Sequence, residues 1–218
     1  MKKEDVIVNG MHGFSGNDLD ESDLDELLNH FSVPQRYHSQ RVAVCSAIMA
    51  EYVKKPMLWP GIPARADLAV VAHLGGLCHD VGKLMTPPLA VSEEDYRQHP
   101  VYGAQLLEKH RKALFSDEAE TRLVLETVRY HHEQPDGGGF PYGLHAKDIP
   151  LTAGICAVAN RLDHRVFSAS RDSDSGGAVF CDIKAQEGTL LYVSAIKCFE
   201  LAWPRLLEQY GKWGCVLG

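Results

Sequence analysis

The sequence predicts an all-α fold, a compact bundle of about seven to eight helices. Apolar residues recur at i, i+3, i+4 and i+7 through most of the chain, the period of a one-sided helix. Serine followed three residues later by an acidic residue precedes two of these stretches, which is a helix-start signal. One segment, "DLAVVAHLGGLCHD", is apolar on every side, as suits the central helix of a bundle.

Leu24, Leu27, Leu28 and Phe31 form the first stripe, behind Ser22 and Asp25, and the acidic run Asp18, Asp20, Glu21 and Asp23 reads as its solvated start. A second helix is expected after Pro34, where His38, Val42, Cys45, Met49 and Tyr52 place His38 on the buried face. "WPGIPARAD" reads as a loop before the all-apolar helix. Gly75 and Gly76 each cost that helix about 1 kcal/mol relative to alanine, a cost explained by close approach of a neighbour. "TPP" interrupts the chain, and Ser92 with Asp95 caps the next helix. Another helix starts at Ser116 and ends at His131 and His132, which share a face with Val124 and Val128. Pro150 opens a helix with a bulky stripe (Leu151, Ile155, Val158, Leu162) and a small one (Ala153, Cys156, Ala157, Asn160). "SASRDSDSGG" reads as a loop, and "TLLYVSAIKCFELAWPRLL" as a closing helix kinked at Pro204.

Composition narrows the function classes. A chain of 218 residues with 45% hydrophobic residues can bury a sizeable core and is most simply a single domain. Its net charge of −7 argues against a nucleic-acid polymer as partner, but not against a small phosphate ligand held beside a bound cation. Six scattered cysteines without a C-x-x-C pair read as reduced thiols rather than a zinc cluster. No apolar run approaches the roughly 18 residues of a membrane span, and the first residues lack a signal-peptide core. The expectation is a soluble cytoplasmic protein with no membrane partner.

Eleven histidines are the unusual feature. His12, His30, His73, His110, His145 and His164 suit hydrogen-bonded or solvated positions. The other five stand where chemistry gathers. His38 lies on a buried stripe, His79 and Asp80 end the most hydrophobic helix, His99 precedes a proline, and His131 with His132 ends a helix before "EQPDGGGFPYGL". A histidine and an aspartate at the end of a buried helix are costly unless paired or bound to a cation. Mixed nitrogen and oxygen donors suit iron, manganese, zinc or similar divalent ions. Lys83, one turn past Asp80, places an ammonium where it can meet a phosphoryl oxygen.

The ordered motifs "HSQRVA", "CHDVGK", "HPVYGAQLL", "HHEQPDGGGFPYGL" and "IPLTAGICAVANRLD" resemble the HD superfamily of metal-dependent phosphohydrolases. More narrowly they resemble its HD-GYP subfamily of cyclic di-GMP phosphodiesterases. The resemblance covers about His38 to Asp163 and implies an HD-type helical domain over 34–218, with 1–33 as an N-terminal helical extension. It implies two divalent metal ions (Fe, Mn, Zn or Mg) held by His38, His79, Asp80, His99, His131, His132 and the residue at Asn160. Asp80 would be shared by both ions, and the nucleophile would be a bridging hydroxide. It implies Asp80 and Lys83 as catalytic residues, and Lys83, Asp136, Gly137, Gly139 and Phe140 as the substrate-binding set. Glu133 is expected to orient an imidazole from behind, and the glycines to let backbone approach a phosphate.

Several positions depart from the family pattern. Asn160 stands where an aspartate ligand is usual, with Asp163 one turn later as a substitute. Phe140 replaces the signature tyrosine, and Pro34 replaces a glutamate that supports a third ion in some members. The family's arginine-containing segment is rewritten as "HRVFSASRDSDSGG", leaving Arg165 and Arg171 as candidates. Two functional readings are open: a phosphodiesterase acting on a cyclic dinucleotide or another nucleotide phosphate ester, or a catalytically degenerate module that binds nucleotide or a partner protein in signalling. Either is compatible with a homodimer. A purely structural helical domain with a satisfied histidine core is the third reading.

Overall fold

Capping chemistry and apolar periodicity set the helix boundaries. The computed structural model describes residues 24–54, 62, 66–85, 92–114, 117–167 and 175–215. Nine α-helices lie among the described residues: α1 (Leu24–Asn29), α2 (Val33–Ala50), α3 (Leu68–Cys78), α4 (Glu93–Arg97), α5 (His99–Leu114), α6 (Glu118–Tyr130), α7 (Leu151–Phe167), α8 (Gly176–Lys184) and α9 (Val193–Lys212). Short 3-10 turns occupy Val81–Met85 and Ala146–Asp148, and the described residues contain two isolated β-bridges but no strand ladder.

Several starts differ from the sequence expectation for local reasons. α2 begins at Val33, because Ser32 and Gln35 form a reciprocal capping box and Pro34 falls in the first turn, where no amide proton is needed. α6 is capped by Asp117, which accepts the amides of Ala119 and Glu120; Ser116 lies outside the described residues, as does Ser22. The expected loop at 168–177 ends early, since Ser175 accepts the amide of Ala178 and Gly176 opens α8. Burial of Val179 and Ile183, four residues apart, favours that helix despite its two glycines. α9 begins only at Val193, after a turn with Gly188 at φ +78°, and continues on both sides of Pro204. The expected breaks at "TPP" and most of "WPGIPARAD" lie outside the described residues.

α3 runs through the middle, as its all-round apolarity demands. Its two glycines are where neighbours come close. A Cβ on Gly76 would lie 2.8 Å from the Cα of Ala43 on α2, and one on Gly75 would lie 2.5 Å from Cγ2 of Thr127 on α6. The main core joins α2, α7, α8 and α9 through residues such as Val42, Met49, Ile155, Leu162, Phe199 and Tyr210. A second cluster seats Leu27 and Leu28 of α1, with Phe31 just beyond it, against Cys78, Val81, Leu107 and Val128. The six cysteines are free thiols, four of them buried. No helix among the described residues is long and apolar enough to cross a membrane.

The 3-10 turn Val81–Met85 fixes where two helix ends meet. A Cβ on Gly82 would overlap the His99 carbonyl oxygen, and Gly103 presses on the same turn, so the strip after Asp80 lies flat against the start of α5. This packing brings the end of α3 to the start of α5.

Gly76→Ala should lower stability by about 1–3 kcal/mol, because the added methyl meets backbone that has nowhere to move. Gly211→Ala, with nothing within 4 Å of its new methyl, should be neutral or gain up to about 1 kcal/mol. Urea unfolding of both variants measures this, and equal stabilities would refute the close helix approach.

Candidate metal and phosphate site

The site assembles at helix ends. His79 caps the C-terminus of α3, His99 opens α5, and His131 caps the C-terminus of α6. Each uses its Nδ1 in the same way, toward the carbonyl three residues earlier: His79 to Gly76 at 2.7 Å, His99 to Tyr96 at 2.7 Å and His131 to Val128 at 2.8 Å. A carbonyl only accepts, so each Nδ1 carries the proton and each Nε2 keeps its lone pair. His38, from the middle of α2, directs Nδ1 at Oδ2 of Asp163 on α7, 2.7 Å away, with the same consequence for its Nε2.

These lone pairs converge on one carboxylate. Asp80 is 4% exposed, with Oδ2 3.4 Å from His79 Nε2 and Oδ1 3.3 Å from His99 Nε2 and 4.0 Å from His131 Nε2. Two ligand sets share it: Asp80, His99, His131 and His132 form one, and His38, His79 and Asp80 the other, each with donor atoms within 4.8 Å of one another. The Nε2 atoms of His38, His79, His99, His131 and His132, together with Oδ1 of Asp80 and Oδ1 of Asn160, are buried without a hydrogen-bond partner. So many orphaned acceptors around one anion would be heavily penalised unless a cation satisfies them. The donor set therefore fits divalent metal.

Protonation states agree with that fit. Burial, reinforced by His132, His79 and His99, holds His131 well below the usual imidazole range, and burial with His99 pushes His132 down to about 3. Burial opposes ionisation of Asp80, yet His79, His99 and Lys83 hold its carboxyl well below the ordinary range. Neutral imidazoles and an ionised carboxylate are the forms that bind metal. Lys83 Nζ sits 2.5 Å from Oδ2 of Asp80 and lines a cavity of about 340 Å³ with His38, Arg41, Asp163, His164 and Phe167.

Three expectations need correction. Asp163 is no substitute ligand for Asn160: both its oxygens are committed, one to His38 and both to Arg41, whose Nε and Nη2 lie 2.6 and 2.9 Å away. Glu133 does not orient an imidazole. It accepts the amides of Tyr142 and Leu144, each at 2.8 Å, and so ties down the glycine-rich loop. Gly139 faces chain rather than ligand, since a Cβ there would overlap the backbone of His132 to Gln134. Asp136 accepts the amide of Gly138 at 2.8 Å and Gly137 supplies a turn at φ +83°, and both shape the loop. Phe140 stacks on His132, with ring centroids 4.4 Å apart, which braces that imidazole.

Asn160 is buried, as its place on the small stripe of α7 suggested, and lines a second cavity of about 200 Å³. Arg165 pairs with Asp182 at 2.7 Å, and Arg171 lies outside the described residues. Sequence reasoning missed Arg41, whose guanidinium lies over the Phe167 ring at 3.8 Å, and left His164 among the bystanders although it lines both cavities. For Arg41 the signal was available: it sits three residues after His38, on the same helix face.

Comparison with known proteins places this geometry. A family model described as HD domain matches residues 36–165. Over 131 residues the chain is 34% identical to a cyclic di-GMP phosphodiesterase of Pseudomonas aeruginosa, covering 56% of this chain and 28% of that protein. Over 142 residues it is 32% identical to a cyclic di-GMP phosphodiesterase of Thermotoga maritima, covering 61% of this chain and 37% of that protein. The chain thus spans well under half the length of these curated relatives. Among solved structures, the HD domain of an L. monocytogenes phosphodiesterase in complex with cyclic-di-AMP is similar at a TM-score of 0.56 and 14% identity, over 85% of this chain and 97% of that one. At that identity the likeness speaks for the fold.

Metal-stripped protein should gain thermal stability when Mn²⁺ or Zn²⁺ is added, by about 2.7 kcal/mol at a hundredfold excess over the dissociation constant. Asp80→Asn, which weakens the shared carboxylate, should remove most of that gain. A melting temperature unmoved by either metal would contradict the fit.

Proposed function

The chain belongs to the HD domain family, and we propose that it is a metal-dependent phosphohydrolase whose substrate is a cyclic dinucleotide or a related nucleotide phosphodiester. The observation that carries this reading is the ring of orphaned acceptors around Asp80 with the Lys83 ammonium beside it. The names of the curated relatives, cyclic di-GMP phosphodiesterases, support the substrate class.

In this reading His99, His131, His132 and Asp80 would hold one cation, and His38, His79 and Asp80 would hold a second, with the Asn160 carbonyl as a further neutral donor. When bound, the cations supply Lewis acidity toward a phosphoryl oxygen and an attacking water. The residues of the chain do the rest. The carbonyls of Gly76, Tyr96 and Val128 fix the imidazoles, and Asp163 fixes His38. Lys83 faces the cavity and can exchange Asp80 for a non-bridging phosphate oxygen, countering the charge that grows there in the transition state. Burial of Asp80 and of the imidazoles at the helix ends keeps the field around the phosphate strong.

One observation favours the alternative of a binding module. Asn160 brings no charge to a position where a carboxylate would tighten metal, so Asp80 is the one anionic donor in the two ligand sets.

Metal-loaded protein should hydrolyse cyclic di-GMP or cyclic di-AMP, followed by chromatography of the products. Lys83→Ala should lower kcat by about 10²–10³, by analogy with loss of one transition-state donor, and Asp80→Ala should abolish turnover. Absence of hydrolysis on cyclic dinucleotides, nucleotides and simple phosphodiesters alike would overturn the enzyme reading. Asn160→Asp should raise metal retained after dialysis. If it also converts a silent protein into an active one, the natural chain is the binding module.

A further inference from the structure

The smaller cavity meets the ligand set without touching Lys83. Its lining includes His131, His132 and Asn160 together with Gln134, Arg161, His164, Leu190 and Leu191. His164 also lines the larger cavity, so the two share a boundary at its ring. Each cavity therefore touches part of the ligand set; the larger is lined by Lys83 and by Arg41, which is bound to Asp163, and the smaller by Arg161 as its one long cationic side chain.

Arg161 differs from most other arginines here. Arg41 is spent on Asp163, Arg165 on Asp182, Arg205 on Glu51 and Arg97 on Glu93. Among the described residues Arg161 makes no hydrogen bond or ion pair, and it is exposed at the cavity wall. The one carboxylate in the lining, Glu133, is buried, and each of its oxygens already accepts a backbone amide. Beside Arg161, Asn160 is 8% exposed with an orphaned Oδ1, and Leu190 and Leu191 supply an apolar wall. A fork of unspent N–H donors beside an apolar wall is the chemistry of a site for a phosphate attached to an apolar body.

We propose that this second cavity is an anion subsite, with Arg161 as its recognising residue, and that it takes the phosphate of the substrate that is not being cleaved. The proposal rests on the phosphodiesterase reading. A cyclic dinucleotide carries two phosphodiesters on opposite sides of its ring. With one of them at Asp80 and Lys83, the other needs a cationic partner of its own, and the Arg161 cavity, which meets the larger cavity at His164, offers one. Arg161 then sets specificity: it separates substrates with a second phosphate from those with a single one.

The test compares cyclic di-GMP with bis-p-nitrophenyl phosphate, which has no second phosphate, in metal-loaded wild-type protein and in Arg161→Ala. The ratio of kcat/KM for the dinucleotide to that for the simple ester should fall at least about tenfold, carried by a rise in KM, as loss of one charge-assisted hydrogen bond implies. Arg161→Lys should recover part of it, since the charge remains and the fork is lost. Wild-type turnover of the dinucleotide with an unchanged ratio in Arg161→Ala overturns the subsite and leaves the phosphodiesterase reading intact. No turnover by wild type overturns that reading instead. Calorimetry of cyclic di-GMP binding then decides the subsite alone: weaker binding by Arg161→Ala supports it, and equal affinity or no binding to either protein overturns it.

Discussion

A buried carboxylate surrounded by imidazole lone pairs is the constraint on which this molecule turns. Asp80 sits where α3 gives way to a 3-10 turn, almost sealed from solvent, with His79 and His99 within 3.4 Å and His131 at 4.0 Å. Among the described residues, Lys83 offers it a full positive charge at short range. An anion and five orphaned imidazole nitrogens cannot share one apolar pocket cheaply without a cation. The packing around them makes sense as a means of keeping these groups together. Gly76 lets α2 close on α3, and Gly82 lets the turn after Asp80 lie on α5.

The orientation of the imidazoles comes from the backbone. Three histidines at helix ends donate Nδ1–H to the carbonyl three residues earlier, a group left without a helical partner at a C-terminus or just before a new helix. One interaction thus satisfies an orphan carbonyl, selects the tautomer and aims Nε2 inward. His38 lies mid-helix, where carbonyls are already used, so it needs a different partner. Asp163 fills that role, itself held by the Arg41 fork. The imidazoles therefore rest on different supports, backbone carbonyls for His79, His99 and His131 and a side-chain network for His38.

Much of this was legible in the sequence because it is local. A His-Asp pair ending an apolar helix, a His-Pro opening another and a double histidine ending a third announce themselves within a few residues, as do the reciprocal caps of Ser92 and Asp95. What was not legible is set by distance or by packing. Asp163 meets His38 and Arg41 across 125 and 122 residues, and no local pattern links them. Glu133 stands next to two ligands and reads as their partner, but at the end of α6 its side chain meets the returning amides of Tyr142 and Leu144. Gly139, one of the glycines that suggest a phosphate cradle, lets that loop cross the His132 to Gln134 backbone. α8 was hidden because two glycines signal a loop, while the burial of Val179 and Ile183 that favours a helix depends on α7 and α9.

The central claim is that the orphaned nitrogens around Asp80 exist to hold cations. Crystals grown with Mn²⁺ and measured at the manganese absorption edge test it directly. The account predicts two anomalous peaks, one on each side of the Asp80 carboxylate, the first against His99, His131 and His132 and the second against His38 and His79. Electron density in which these imidazoles keep their positions, but anomalous signal is absent from the pocket or confined to surface carboxylates, would contradict it.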